Sequence, residues 1–223
     1  MSRVYLLVEG QTEEAFVNEL LMPHYARRGH YLTPIIVSTS PGHRGGVTRY
    51  AKVKPQIERL CRQDGQAHVT TLFDLYALPD DFPGKSNASY PATASGHQKA
   101  VFLENALSVD IGQRNFIPNL LVHEYEALLF TQISAFEPWI DDDQGLAPLH
   151  DARRTAQPED INDNPHSAPS KRILLAWCGY QKTFHGPLIA CDIGLDAIRA
   201  ACPHFAAWLQ KIESLPTGPG TPP

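Results

Sequence analysis

At 223 residues and a formal charge of −5, the chain has room for one sizeable core and carries no global attraction for nucleic acid, so any such partner needs a local basic patch or a metal. Its four cysteines, Cys61, Cys178, Cys191 and Cys202, form no C-x-x-C pair, which argues for buried free thiols rather than a disulfide framework or a zinc site. No charged-then-apolar leader opens the sequence and no apolar run approaches membrane-spanning length, so the expectation is a soluble cytoplasmic protein.

The first element is the apolar run Val4 to Val8, stopped by Glu9-Gly10, which reads as a buried strand. Gly10 permits a sharp turn. Thr12 is placed to cap a following helix, with Glu13 and Glu14 in a first turn where carboxylates suit the helix dipole. That helix would bury Phe16, Val17, Leu20 and Leu21, so Glu9 closes a strand and Glu13 lies one turn beyond it. Tyr31 to Val37 reads as a second strand. The loop from Ser38 to Gly46 sets His43 and Arg44 beside glycines and is either a plain surface loop or an anion-binding turn. Val47 to Cys61 has Tyr50, Val53, Ile57 and Leu60 on one helical face, and His68 to Phe73 is a third strand ending at Asp74. This alternation predicts an α/β fold, a mainly parallel sheet with helices on both faces.

Residues 77–97 form a Pro-, Gly-, Ser- and Asp-rich excursion, a length of loop that is usually mobile or functional. A helix resumes over His97 to Val109, and Phe116 to Val122 is a fourth strand running into His123-Glu-Tyr-Glu126. Asp141 to Asp143 reads as a solvated turn and Pro158 to Lys171 as a second polar segment, after which Ser170 is placed to cap a helix reaching Cys178. A helical portion covers about residues 170–213, with Phe205, Trp208, Leu209 and Ile212 facing inward. The expectation is one domain over residues 1–214 and a disordered Pro/Gly-rich tail over 215–223.

Acids recur at strand ends: Glu9, Asp74, then Glu124 with Glu126, and Glu13 one helical turn from the first. Ligands of open α/β sheets collect at the carboxyl ends of strands. Carboxylates brought together there suit Mg²⁺ or Mn²⁺, hard cations that take oxygen ligands. With two ions such a site can clamp both the attacking and the leaving oxygen of phosphodiester cleavage. His123 and Glu126 lack a third zinc ligand of comparable quality. Neither a G-x-x-x-x-G-K-[ST] loop nor a G-x-S-x-G elbow is present, which sets aside P-loop ATPase and acyl-hydrolase chemistry.

The stretch V-E-G-Q-T-E-E-A-F resembles the opening motif of Toprim domains, the fold shared by topoisomerases, primases and OLD-family nucleases. In that resemblance Glu9 follows the first strand, and Glu13 matches the second Glu of the nuclease branch. More closely, that stretch together with T-L-F-D-L-Y-A-L-P-D-D-F-P-G, H-E-Y-E-A-L-L-F, I-N-D-N-P-H-S-A-P-S-K-R and C-P-H-F-A-A-W-L resembles the DUF4276 family, a Toprim-like bacterial family often encoded beside ATPases in phage-defence loci. The resemblance spans about residues 3–212. It implies a Rossmann-like Toprim fold and a Mg²⁺- or Mn²⁺-dependent nuclease acting on DNA or RNA with an ATPase partner. Its metal ligands would be Glu9, Glu13, Asp74, Glu124 and Glu126. Lys171, or alternatively Lys182, would be the lysine that stabilises charge on the scissile phosphate. One departure stands out: the second acid of the Toprim D-x-D pair is Tyr76 here. That favours the alternative of a Toprim-fold binding or regulatory subunit with weak or no catalysis.

Overall fold

The computed structural model describes residues 1–40, 43–44, 46–76, 78–140, 143–161 and 167–217. Asp141 and Asp142, the polar stretch 162–166 and the tail from 218 lie outside the described residues. Strand β1 (Ser2–Val8) leads into α1 (Gln11–Phe16), which runs through a π-helical stretch (Val17–Leu21) into α2 (Met22–Ala26). Next come β2 (His30–Ile36), a small hairpin of β3 (Ser38–Ser40) and β4 (His43–Arg44), α3 (Tyr50–Gln63), β5 (Ala67–Asp74) and α4 (Gly96–Ile111). The short strands β6 (Phe116–Ile117) and β7 (Leu120–Leu121) precede two 3₁₀ turns, Tyr125–Thr131 and Ile133–Phe136. Five helices follow among the described residues, α5 (Asp143–Thr155), α6 (Pro169–Ala176), α7 (Lys182–Ile193), α8 (Leu195–Ala201) and α9 (Pro203–Glu213), with a 3₁₀ turn at Pro158–Asp160.

The main sheet has the order β2-β1-β5-β6, with β7 continuing alongside β5, and every pairing in it is parallel. β1 is central, so both its faces are covered and its run reads as continuously apolar. On one face Val4, Leu6 and Val8 meet Phe16, Val17, Leu21 and Tyr25 from the first helix together with Phe205, Trp208 and Ile212 of α9. On the other, Leu7, Val69 and Phe73 meet Val53 and Ile57 of α3 and Leu103 and Leu107 of α4. Helices therefore pack on both faces, as the alternation predicts.

The chain turns from β1 to β2 on one side, then crosses back to lay β5 on the other side of β1. That reversal places a topological switch point between β1 and β5, where the carboxyl ends of diverging strands leave a crevice. Register sets the crevice floor. Val8 pairs with Leu72 and Asp74 with Leu121, so Glu9, Asp74 and the H-E-Y-E segment arrive at one edge.

The expected fourth strand, Phe116 to Val122, is split. Pro118 has no N–H to give the ladder. Asn119 is diverted to Thr71: its N–H donates to Thr71 Oγ1 (3.2 Å) and its Nδ2 to Thr71 O (3.1 Å). The C-terminal helical portion is likewise broken, at Gly194, where φ is +81°, and again before Pro203, which opens α9. Cys61 and Cys202 are buried, whereas Cys178 is exposed.

Polar contacts inside the core fix α9 to the sheet. Trp208 Nε1 donates to Thr70 Oγ1 at 2.9 Å. Glu159 accepts the His204 and Phe205 backbone N–H groups, each at 2.9 Å, at the start of the helix. Trp208→Phe keeps the apolar bulk but strips Thr70 of its donor. It should cost about 1–2 kcal/mol, because a buried polar group loses its partner. Urea unfolding should show a lower midpoint at unchanged slope.

Candidate functional site

Each element delivers one functional side chain to the crevice for a local reason. β1 ends at Val8 because Glu9 and Gly10 follow, and Glu9 folds across to β5: its Oε1 accepts the Asp74 backbone N–H at 2.7 Å. The first helix starts at Gln11, earlier than a Thr12 cap requires. Its cap position is Gly10, and the Glu13 carboxylate turns back so that Oε2 accepts the Gly10 N–H at 2.9 Å. Thr12 lies buried inside the first turn instead. Asp74 closes β5 and its Oδ1 accepts the Tyr125 N–H at 2.9 Å, tying the strand end to the H-E-Y-E turn. Within that turn His123 adopts φ +68°, a left-handed backbone uncommon outside glycine, and Gly96 packs so close that a Cβ there would lie 2.7 Å from the His123 ring. This bend redirects the chain so that Glu126 points inward with no solvent exposure.

Lys182 lies among these acids. Its Nζ is 3.2 Å from Glu126 Oε2, 3.4 Å from Asp74 Oδ2 and 3.7 Å from Glu13 Oε1. Glu126 Oε1 accepts a longer bond, 3.4 Å, from the Tyr180 hydroxyl, while its Oε2 accepts no other hydrogen bond and meets the ammonium. Gly186 lets α7 come this close: a Cβ there would sit 3.0 Å from the Tyr125 ring and 3.2 Å from the Tyr180 hydroxyl.

The electrostatics follow from crowding. Burial, then the Asp74 and Glu13 charges, raises the Glu9 carboxyl well above the ordinary range. Burial and Asp74 also raise Glu13. Burial lifts Glu126 to about 7 against the pull of Lys182, with Asp74 and Glu124 adding to the rise. For Lys182, burial opposes the charged form, but Asp74, Glu126 and Glu13 outweigh it and hold the ammonium well above the usual lysine range. Four carboxylates thus share one ammonium and stay short of positive charge. α6 and α7 both begin beside the cluster, α6 with the Ser170 N–H that Glu124 accepts and α7 with Lys182 itself.

The remaining sequence-predicted residues sit further out. Glu124 is engaged beside the cluster, its Oε2 accepting the Ser170 N–H at 2.9 Å. Ser170 therefore anchors through its backbone and does not cap α6, whose cap position is Ala168. Lys171, on the next residue of α6, is exposed to solvent. The hairpin rises beside Glu9, whose carbonyl accepts the Gly46 N–H at 2.8 Å. The excursion over residues 78–95 is pinned to the same edge, with Asp81 Oδ1 and Oδ2 accepting the Tyr50 and Ala51 N–H groups of α3 at 2.8 and 3.1 Å. Sequence reasoning ranked Lys182 behind Lys171 and did not single out Tyr180. A signal for Lys182 existed: a lysine in the first turn of a helix opposes the dipole, so a position there calls for some compensating acid.

Over residues 8–213 the chain matches the family described as Domain of unknown function (DUF4276). The chain belongs to the DUF4276 family. Glu9, Glu13, Asp74, Glu126 and Lys182 all lie within the matched span of this DUF4276 chain. No curated protein and no solved structure matches it.

The oxygens around the Lys182 ammonium are all carboxylate oxygens, the donor type a hard divalent cation takes, and the buried Glu126 Oε2 meets only that ammonium. Among the described residues, no three His, Cys, Asp or Glu side chains stand in a ready-made metal-holding group. With the Lys182 ammonium between them, Glu13, Asp74 and Glu126 are held around a lysine nitrogen.

Proposed function

We propose that this protein is a divalent-cation-dependent phosphodiesterase of the Toprim kind, cleaving DNA or RNA in the cytoplasm as the effector of an ATPase-linked defence against phage. The observation that carries this reading is the convergence of Glu9, Glu13, Asp74 and Glu126 at the β1/β5 switch point, under-neutralised by Lys182. Those four carboxylates would hold Mg²⁺ or Mn²⁺, with Glu124 beside them. When bound, the cation supplies Lewis acidity toward a phosphoryl oxygen and lowers the pKa of water. Arg49 and Lys52 at the start of α3, and Lys171 on α6, are exposed cations along the same edge and suit a phosphate backbone.

A chain with a formal charge of −5 binds nucleic acid weakly by itself, so the partner ATPase supplies contact surface and cleavage is faster in its presence. The test incubates single- and double-stranded DNA and RNA with purified protein and Mg²⁺, Mn²⁺ or chelator, with and without the product of the neighbouring gene. Metal-dependent cleavage is the expected result. No cleavage in any arm would leave the second reading, a regulatory subunit that keeps the fold without efficient chemistry. Two observations favour that reading: Tyr76 stands where a second D-x-D acid would be, and Lys182 already supplies a cation to the carboxylates.

A further inference from the structure

Lys182 is in an unusual position for a lysine that simply neutralises acids. Its ammonium lies between carboxylates from three separate elements, α1, β5 and the turn after β7. Yet the side chain as a whole is 38% exposed, while those of Glu13, Asp74 and Glu126 are 4%, 9% and 0% exposed. A partly exposed side chain that ends among buried carboxylates and belongs to neither apolar cluster can be withdrawn without opening the core. Lys182 is also the first residue of α7, and the next two residues, Thr183 and Phe184, are exposed, so an outward path stays open. Its oxygen contacts, 3.2 to 3.7 Å, suit an ammonium. A Mg²⁺–oxygen bond takes about 2.1 Å, so the two cations cannot share the position.

We propose that Lys182 is an exchangeable internal counter-cation: it holds the carboxylates together until a divalent cation displaces its ammonium, which then swings outward on its partly exposed side chain to meet the phosphate of an incoming substrate. This rests on the metal-dependent reading above and adds to it the residue that sets how tightly the site takes a cation. Exchange improves neutralisation, because a double charge replaces a single one among four carboxylates. It also gives one lysine two successive partners, protein carboxylate and then substrate phosphate.

Calorimetric titration of Mn²⁺ into the wild type, Lys182→Met and Lys182→Arg tests this without any activity measurement. Removing the ammonium that the ion must otherwise displace should tighten Mn²⁺ binding about tenfold or more in Lys182→Met. Lys182→Arg, which keeps the charge, should bind no more tightly than wild type. Melting in chelator and in Mn²⁺ provides the second reading. Lys182→Met should melt lower than wild type in chelator, since its carboxylates lose their cation, and Mn²⁺ should restore it. A Lys182→Met protein unfolded in chelator and folded in Mn²⁺ would support the same conclusion. Equal or weaker Mn²⁺ binding by Lys182→Met would overturn the exchange while leaving the metal site standing. No binding by wild type or either variant would overturn both.

Discussion

Asp74→Asn should leave the fold intact and bring metal-dependent cleavage down by about a thousandfold or more, to background. The asparagine side-chain oxygen can still accept the Tyr125 N–H that Asp74 Oδ1 holds at 2.9 Å, so the turn carrying Glu126 keeps its anchor. What disappears is the negative charge at Oδ2, which now faces Lys182 at 3.4 Å. A hard cation depends on that charge, and an amide in its place adds an N–H₂ group that points a donor at the cation. Side-by-side cleavage assays and circular dichroism of the two proteins check both halves of the expectation. Cleavage that survives the substitution would place the activity at another site or in a contaminant.

The second large effect is on stability. In the unfolded chain Glu126 loses its proton around the ordinary value of 4.5, but in the folded protein it keeps it to about 7. Between those values the native state binds more protons, so this residue makes stability fall as pH rises through the window. A carboxyl displaced that far corresponds to about 3 kcal/mol. Glu9 and Glu13, raised by burial and by neighbouring acids, act with the same sign. His24, His30, His68 and His185, pushed down chiefly by burial, act with the opposite sign. The informative quantity is therefore the difference between wild type and Glu126→Gln, whose amide does not titrate. Glu126→Gln should gain on the wild type by up to about 3 kcal/mol in urea unfolding between pH 5 and pH 8. Lys182 contributes nothing to this slope, because its raised pKa keeps it charged throughout and its contribution is lost only at alkaline pH. A difference that is flat across the range would show that Glu126 is ionised in the fold at every pH tested.

Much of this arrangement was legible in the residues, and what was not has physical causes. The run Val4 to Val8, its stop at Glu9 and the later run to Asp74 are local signals, and a buried parallel strand announces itself by composition alone. Placing Glu9, Glu13 and Asp74 at one edge needed only the rule that strand ends of such sheets coincide. Capping was harder. Thr12 and Ser170 are good caps by type, but Gly10 with the Glu13 carboxylate serves the first helix, and the Ser170 N–H is taken by Glu124 from a distant segment. The breaks at Gly194 and Pro203 carried ordinary stop and start signals inside a stretch whose apolar spacing suggested uninterrupted helix. The choice between Lys171 and Lys182 was not local at all. It depends on how α7 docks against the first helix through Gly186, a contact that no spacing within either segment encodes.

The site's parts are scattered along the chain in a way that bears on how the protein is made. β1, a central strand, leaves the ribosome before the strands it pairs with, β2 and β5, and β5 comes only after α3. Glu9, Glu13, Asp74 and Glu126 are all synthesised before Lys182, the cation they enclose. At roughly 5–20 residues per second, the nascent chain carries Glu9 for on the order of ten seconds or more before that lysine is added. During that interval the acids lack the ammonium they enclose, and α9, which covers the sheet through Trp208, does not yet exist. Productive folding is therefore a late event in translation, and a nascent chain arrested ahead of residue 182 exposes both an open apolar sheet and a cluster of mutually repelling carboxylates.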